Sequence, residues 1–190
     1  MGSADTETRS APLDAAAGKT LAGYAAVFWS EAVIAGEFRE RIAPGAFTRA
    51  LRENDVVALM HHDTGRILGR MSAGTLRLRE DAKGLHFEID ADPTTPDGAA
   101  ALGLVGRRDL KAMSFGFRVR SEDWSETKHL PLRTLTDVSL MEVSIVTWPA
   151  YEATSAGLRS LENARATNVV NAARRVRMKA ELEQKIRGIR

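Results

Sequence analysis

Thr75-Leu76-Arg77-Leu78-Arg79, then Asp81-Ala82-Lys83-Gly84, then Leu85-His86-Phe87-Glu88-Ile89-Asp90 decide the fold class. The two flanks alternate apolar and polar residues with a period of two, and the Asp/Gly-containing segment between them turns the chain. The pattern predicts an antiparallel hairpin with one buried face. Outward from it, Leu21 to Trp29 and Phe38 to Ile42 read as further strands, the latter ending at Ala43-Pro44-Gly45. Pro44 stands near the start of a short helix through Leu51, where its missing N–H matters little. Asp55 to His61 is apolar and β-prone and carries His61 and His62 at a strand end. Thr95-Pro96-Asp97 opens a helix to about Val105, with Thr95 as its cap. Lys111 to Arg120 alternates again, with Met113, Phe115, Phe117 and Val119 on one face and Ser114, Gly116 and Arg118 on the other. After a polar excursion from Ser121 to Pro131, a last strand runs from Leu135 to Thr147 and stops at Trp148-Pro149.

Around this body, residues 1–19 are rich in Ala, Ser, Thr, Asp and Gly without periodicity, and are expected to be disordered. Composition turns helical after Thr154, with Leu182, Ile186 and Ile189 on one stripe. The net charge of +2 conceals an asymmetry. Arg165 to Arg190 holds eight Lys/Arg against Glu181 and Glu183, a local +6 that leaves about −4 for the rest. Such a tail suits an acidic partner or nucleic acid, or is a solvated helix face. The expected organisation is a tail over 1–19, a mostly β (α+β) domain over 20–155 and a basic helical tail over 156–190.

No apolar run approaches the ~20 residues of a membrane span. No cationic region precedes an apolar stretch at the N-terminus, so a secretory signal is not expected. Without cysteine, a thiol nucleophile and a disulfide framework are excluded. His61-His62-Asp63, even with His86, lacks the spacing of a metal site, and no metal or cofactor is expected.

The chemistry lies in three segments: Met60-His61-His62-Asp63, Met113-Ser114-Phe115-Gly116-Phe117, and Met141-Glu142-Val143-Ser144-Ile145. Each sets one chemically capable side chain in a strand-like apolar run. A buried polar group without a partner costs roughly 1–3 kcal/mol. Three of them in core strands therefore point to a task. Together they offer a hydroxyl nucleophile, an imidazole base and a carboxylate to orient the base, the components of acyl transfer. Ser114 is the candidate nucleophile, with Gly116 beside it leaving room for a substrate backbone. His62 is the candidate base, with His61 as rival. Glu142 is the candidate carboxylate, with Asp137 as rival.

With these residues laid out, the chain from about Leu21 to Ser155 resembles the prohead (capsid maturation) serine proteases of tailed bacteriophages. The resemblance is carried by Gly23-Tyr24-Ala25-Ala26-Val27-Phe28, Ile42-Ala43-Pro44-Gly45-Ala46-Phe47, His62-Asp63 followed by Leu68-Gly69-Arg70, Gly74-Thr75-Leu76, Met113 to Phe117, and Glu142 to Tyr151. Where that family often has Asn before the His-Asp pair, this chain has His61. The resemblance implies Ser114 as nucleophile, His62 as base and Glu142 as third member. It also implies a closed or nearly closed β-barrel flanked by short helices, distantly similar to herpesvirus assemblin. The implied setting is the cytoplasm of a bacterial host, inside the assembling prohead of a phage or a phage-derived gene transfer particle. The implied substrates are a scaffold protein or the scaffold segment of the major capsid protein, and the protease itself. The portal protein is a further implied partner, and the active form a homodimer, with no membrane and no specific nucleic acid. The basic tail is then a segment removed by self-cleavage or one that targets the protease to the prohead. The rival expectation is a non-catalytic capsid-assembly or scaffold module of the same fold.

Overall fold

The computed structural model describes residues 6–12, 15–148 and 155–187. The elements in chain order are β1 (Glu7–Pro12), β2 (Ala15–Ala17), β3 (Thr20–Val27), β4 (Ala32–Ile34), β5 (Phe38–Ile42), α1 (Ala50–Glu53), β6 (Val57–Met60) and β7 (Asp63–Arg70). They continue with β8 (Leu76–Glu80), β9 (Gly84–Asp90), α2 (Pro96–Gly106), β10 (Ala112–Ser125), β11 (Leu132–Val146) and α3 (Ser155–Arg187). The chain divides into two units, Met1–Ala153 and Thr154–Arg190.

The hairpin is present as β8 and β9, antiparallel, with Leu78 opposite Phe87. It belongs to a four-stranded sheet ordered β2-β3-β9-β8. The larger sheet runs β1-β10-β11-β5-β4, with β6 pairing β11 and β7 pairing β6. The fold is mostly β with short helices, as the alternation predicts. No closed barrel forms among the described residues. One sheet's path ends at β1 and β4 and the other's at β2 and β8. The reason lies in β11, which pairs β10 on one side and on the other hands over from β5, at Leu132–Leu135, to β6, at Glu142–Ile145. The sheet branches there instead of closing.

One contiguous core joins the two sheets, with Leu21, Leu85, Phe87 and Ile89 from the smaller and Met113, Phe115, Phe117, Val143 and Ile145 from the larger. Phe115 stands edge-on to Phe47 at 5.6 Å and stacks with Phe117 at 5.1 Å. Such pairs add about 0.5–1.5 kcal/mol each beyond the area they bury, and they fix the stretch of β10 that carries Ser114. Thr95 caps α2 as expected, its hydroxyl accepting the Gly98 N–H at 3.1 Å. The helix expected from Pro44 is helical only over α1, after turns.

The N-terminal segment departs from the expectation of disorder. Glu7–Pro12 forms a strand along β10, with Ser10 opposite Ser114. Two of its three inward residues, Glu7 and Arg9, are charged, which hides it from a reading that looks for apolar alternation. Glu7, Arg9, Glu40 and Arg133 are all at most 4% exposed. Arg9 bonds Glu7 at 2.8 Å and Glu40 at 2.5 and 2.9 Å. Arg133 bonds Glu7 at 2.8 and 3.0 Å, Glu40 at 2.9 Å and Glu122 at 2.5 Å. Burial works against the Arg133 charge, but the Glu7 hydrogen bonds and the charges of Glu40, Glu7 and Glu122 outweigh it and raise its pKa above the ordinary guanidinium value.

The second unit is one helix of 33 residues, about 50 Å long at 1.5 Å per residue. Its described side chains are largely exposed. No helix among the described residues is long and apolar enough to cross a membrane.

Candidate active site

The β6–β7 hairpin delivers the histidines. Met60 pairs with Asp63, so His61-His62 is a two-residue turn, with φ of +54° and +61°. Positive φ at both central positions is the requirement of the type I′ turn that suits the twist of a hairpin. Outside glycine this backbone costs roughly 1–2 kcal/mol per residue, and Asn, Asp and His tolerate it better than most. The reading of a strand end therefore needs correcting: both histidines sit in the turn itself. Strain of this kind persists where surrounding contacts hold it and concentrates at functional sites. Two main-chain bonds hold it here. The His61 N–H donates to the Ile145 carbonyl at 2.9 Å, and the His62 N–H donates to Ser144 Oγ at 3.2 Å.

A bulge delivers Glu142. Leu140 and Val143 both face the core, three residues apart, which strict alternation forbids. Opposite Gly116 stands Glu142, while opposite Phe117 stands Leu140, so Met141 is the extra residue. Met141 is 39% exposed. The bulge moves Glu142 from the core face to the face shared with Gly116, Ser114 and Ser144. There Glu142 Oε1 lies 2.8 Å from His62 Nδ1, with the carboxylate side chain 13% exposed and the imidazole 31%. An ionised carboxylate only accepts, so Nδ1 donates to it, and in the neutral imidazole Nε2 then keeps its lone pair. Glu142 Oε2 accepts the Ser144 hydroxyl at 2.5 Å.

Ser114 is the third residue of β10, directly across the ladder from Ser144. Residues opposite each other in an antiparallel pair point to the same face, so Ser114 shares its face with Ser144 and Glu142. Its side chain is fully buried, and its hydroxyl has no hydrogen-bond partner. The structure thus joins His62 to Glu142 and sets Ser114 one row from them without a hydrogen bond to the imidazole. Among the rivals, His61 is exposed in the first turn position. Asp137 stands opposite Ser121 and lies 3.8 Å from both Arg49 and Arg120. His86 faces Tyr24 in the smaller sheet, ring centroids 5.2 Å apart.

Gly116 stands directly against Glu142. A Cβ there would lie 2.5 Å from Glu142 Oε1 and 3.2 Å from its Cδ, so the missing side chain makes room for the carboxylate. Gly116→Ala is expected to push the carboxylate off His62 and slow turnover about 10-fold or more. The clash meets only the end of a flexible side chain, so the melting temperature should stay near wild type. Steady-state rates beside a thermal melt test both parts.

Ser144 and the Met141 bulge escape a reading of the sequence alone. A serine between Val143 and Ile145 reads as filler. The bulge does leave a trace, the three-residue spacing of Leu140 and Val143 within a run of period two.

A family model for the caudovirus prohead serine proteases matches residues 4–167, and the chain belongs to that family. It is thereby a member of the capsid-maturation proteases of tailed phages. The match begins ahead of β1 and ends within α3. No curated protein and no solved structure matches the chain. Of the segments that carry the resemblance, Pro149-Ala150-Tyr151 lies outside the described residues.

Proposed function

We propose that this chain is a serine endopeptidase in which Ser114 is the nucleophile, His62 the base and Glu142 the residue that orients it. The observation that carries the reading is the 2.8 Å contact between Glu142 and His62 Nδ1. It leaves Nε2 free to take a proton, on a chain of the prohead protease family. The unpartnered Ser114 hydroxyl supports it, because a buried hydroxyl without a partner calls for a reason and a reacting group is one.

When a substrate binds, His62 Nε2 closes on Ser114 Oγ. Contacts of this kind are commonly long before the substrate arrives. Oγ attacks the scissile carbonyl carbon as its proton passes to Nε2, and Glu142 stabilises the imidazolium. Imidazolium then protonates the leaving amine as the C–N bond breaks. Water repeats the sequence on the acyl-enzyme and restores the hydroxyl.

The substrate is scaffold, either a separate scaffold protein or the scaffold segment of the major capsid protein, cut inside the assembling prohead in the cytoplasm of a bacterial host. The protease acts as a homodimer, meets the portal protein in the same shell, and removes its own basic tail. Incubation with the neighbouring capsid protein, followed by N-terminal mapping of the products, tests this. New N-termini confined to the scaffold segment, together with loss of the tail, are the expected result. A precursor and tail that both stay whole in mature particles would leave instead a non-catalytic assembly module of the same fold.

A further inference from the structure

The two ties that hold His62 converge on one hydroxyl. Ser144 Oγ receives the His62 main-chain N–H at 3.2 Å and donates to Glu142 Oε2 at 2.5 Å, while Glu142 Oε1 holds the ring at Nδ1. A serine hydroxyl has one proton to give and lone pairs to receive with, and both capacities are used here. Both carboxylate oxygens are engaged as well, so Glu142 cannot rotate about its last torsion without losing a bond. The closed circuit runs from the His62 main chain through Ser144 and Glu142 back to the His62 ring. Ser144 is fully buried, on a strand whose pairing with β10 and β6 does not depend on its side chain.

We propose that Ser144 is the positioning residue of this protease. It clamps Glu142 against the His62 ring, so that the imidazole is already oriented when the substrate arrives. Resting on the roles given above to Ser114, His62 and Glu142, the proposal makes Ser144 act through Glu142 and never on the substrate. Its removal should matter only while the carboxylate is there to be clamped. A serine that merely filled space would show no such dependence.

The test uses the full chain and an alkyl fluorophosphonate. Ser114 Oγ attacks phosphorus, the Oγ–P bond forms, the P–F bond breaks, fluoride leaves and the hydroxyl proton passes to His62. The rate of label appearing on the Ser114 peptide is followed by mass spectrometry across the pH range for the wild type, Ser144→Ala, Ser144→Thr, Glu142→Gln and Ser144→Ala/Glu142→Gln. Ser144→Ala is expected to slow labelling about 10–100-fold, the range for losing a group that orients a working side chain, and to move the midpoint of the pH–rate curve. Ser144→Thr, which keeps the hydroxyl, should recover most of the rate. With Glu142→Gln already present, Ser144→Ala should change the rate less than about twofold, since coupled groups are not additive.

Wild-type rate and midpoint in Ser144→Ala, or the same slowing with and without Glu142→Gln, would overturn the proposal. If Ser144→Thr does not fold, as judged by its thermal melt, the double-mutant comparison decides. A wild-type protein that takes no label on Ser114 would remove the protease reading itself. A wild-type protein labelled at Ser114 at a rate that Ser144→Ala leaves unchanged would remove this proposal alone.

Discussion

His62→Asn is expected to lower the rate of precursor cleavage roughly 10⁴- to 10⁶-fold, the scale on which a triad base is lost. His61→Asn should stay within about twofold of wild type. Asparagine is the informative replacement because both positions have positive φ, +54° and +61°, and Asn adopts that backbone more readily than alanine. The turn is therefore kept and only the imidazole is lost. The two histidines are adjacent in one turn, yet only His62 touches Glu142 and has its N–H on Ser144, while the His61 N–H continues the pairing with β11 through Ile145. Cleavage rates on the same precursor, with melts of both variants, check the prediction. The opposite order would transfer the role of base to His61.

The largest effect on stability is expected at Arg133, far along the sheet from the histidines. Arg133→Met removes a guanidinium that is 2% exposed and bonds Glu7, Glu40 and Glu122. Two carboxylates then remain buried with Arg9 as their one partner within the network. Breaking a buried ion pair from one side costs about 3–5 kcal/mol, a large part of the 5–15 kcal/mol that holds a typical domain together. The melting temperature should fall by roughly 10 °C or more. Because Glu7 lies on β1, the N-terminal strand should loosen first and become sensitive to limited proteolysis near Ser10. Arg49→Ala, which removes an exposed ion pair to Glu53, should leave the melt unchanged. A melt of Arg133→Met within a few degrees of wild type would mean that the network does not hold β1.

What the sequence made legible follows from which residues carry their own explanation. The β8–β9 hairpin and the Thr95 cap are local. Each pairing or capping partner is near in sequence, and alternation or a single hydroxyl states the outcome. Ser114, His62 and Glu142 stand out because a polar side chain in an apolar run needs a partner, although the run does not say which. Their spatial relation depends on two features that alternation cannot express, the left-handed His61-His62 turn and the Met141 bulge. β1 was illegible for a complementary reason. Glu7 and Arg9 look solvated until Glu40 and Arg133, 31 and 126 residues away, are brought against them. The branching of the sheet at β11 is likewise a property of pairing, with β5 and β6 taking successive stretches of one long strand.

The most direct test of the central claim, that the hydroxyl at Ser114 performs the cleavage, is made inside the particle. Proheads assembled with Ser114→Ala, which removes one oxygen and leaves the β10 ladder intact, are isolated and their capsid protein is weighed by mass spectrometry. Full-length precursor in otherwise normal proheads is the predicted result. Precursor cut as in wild-type particles would contradict it.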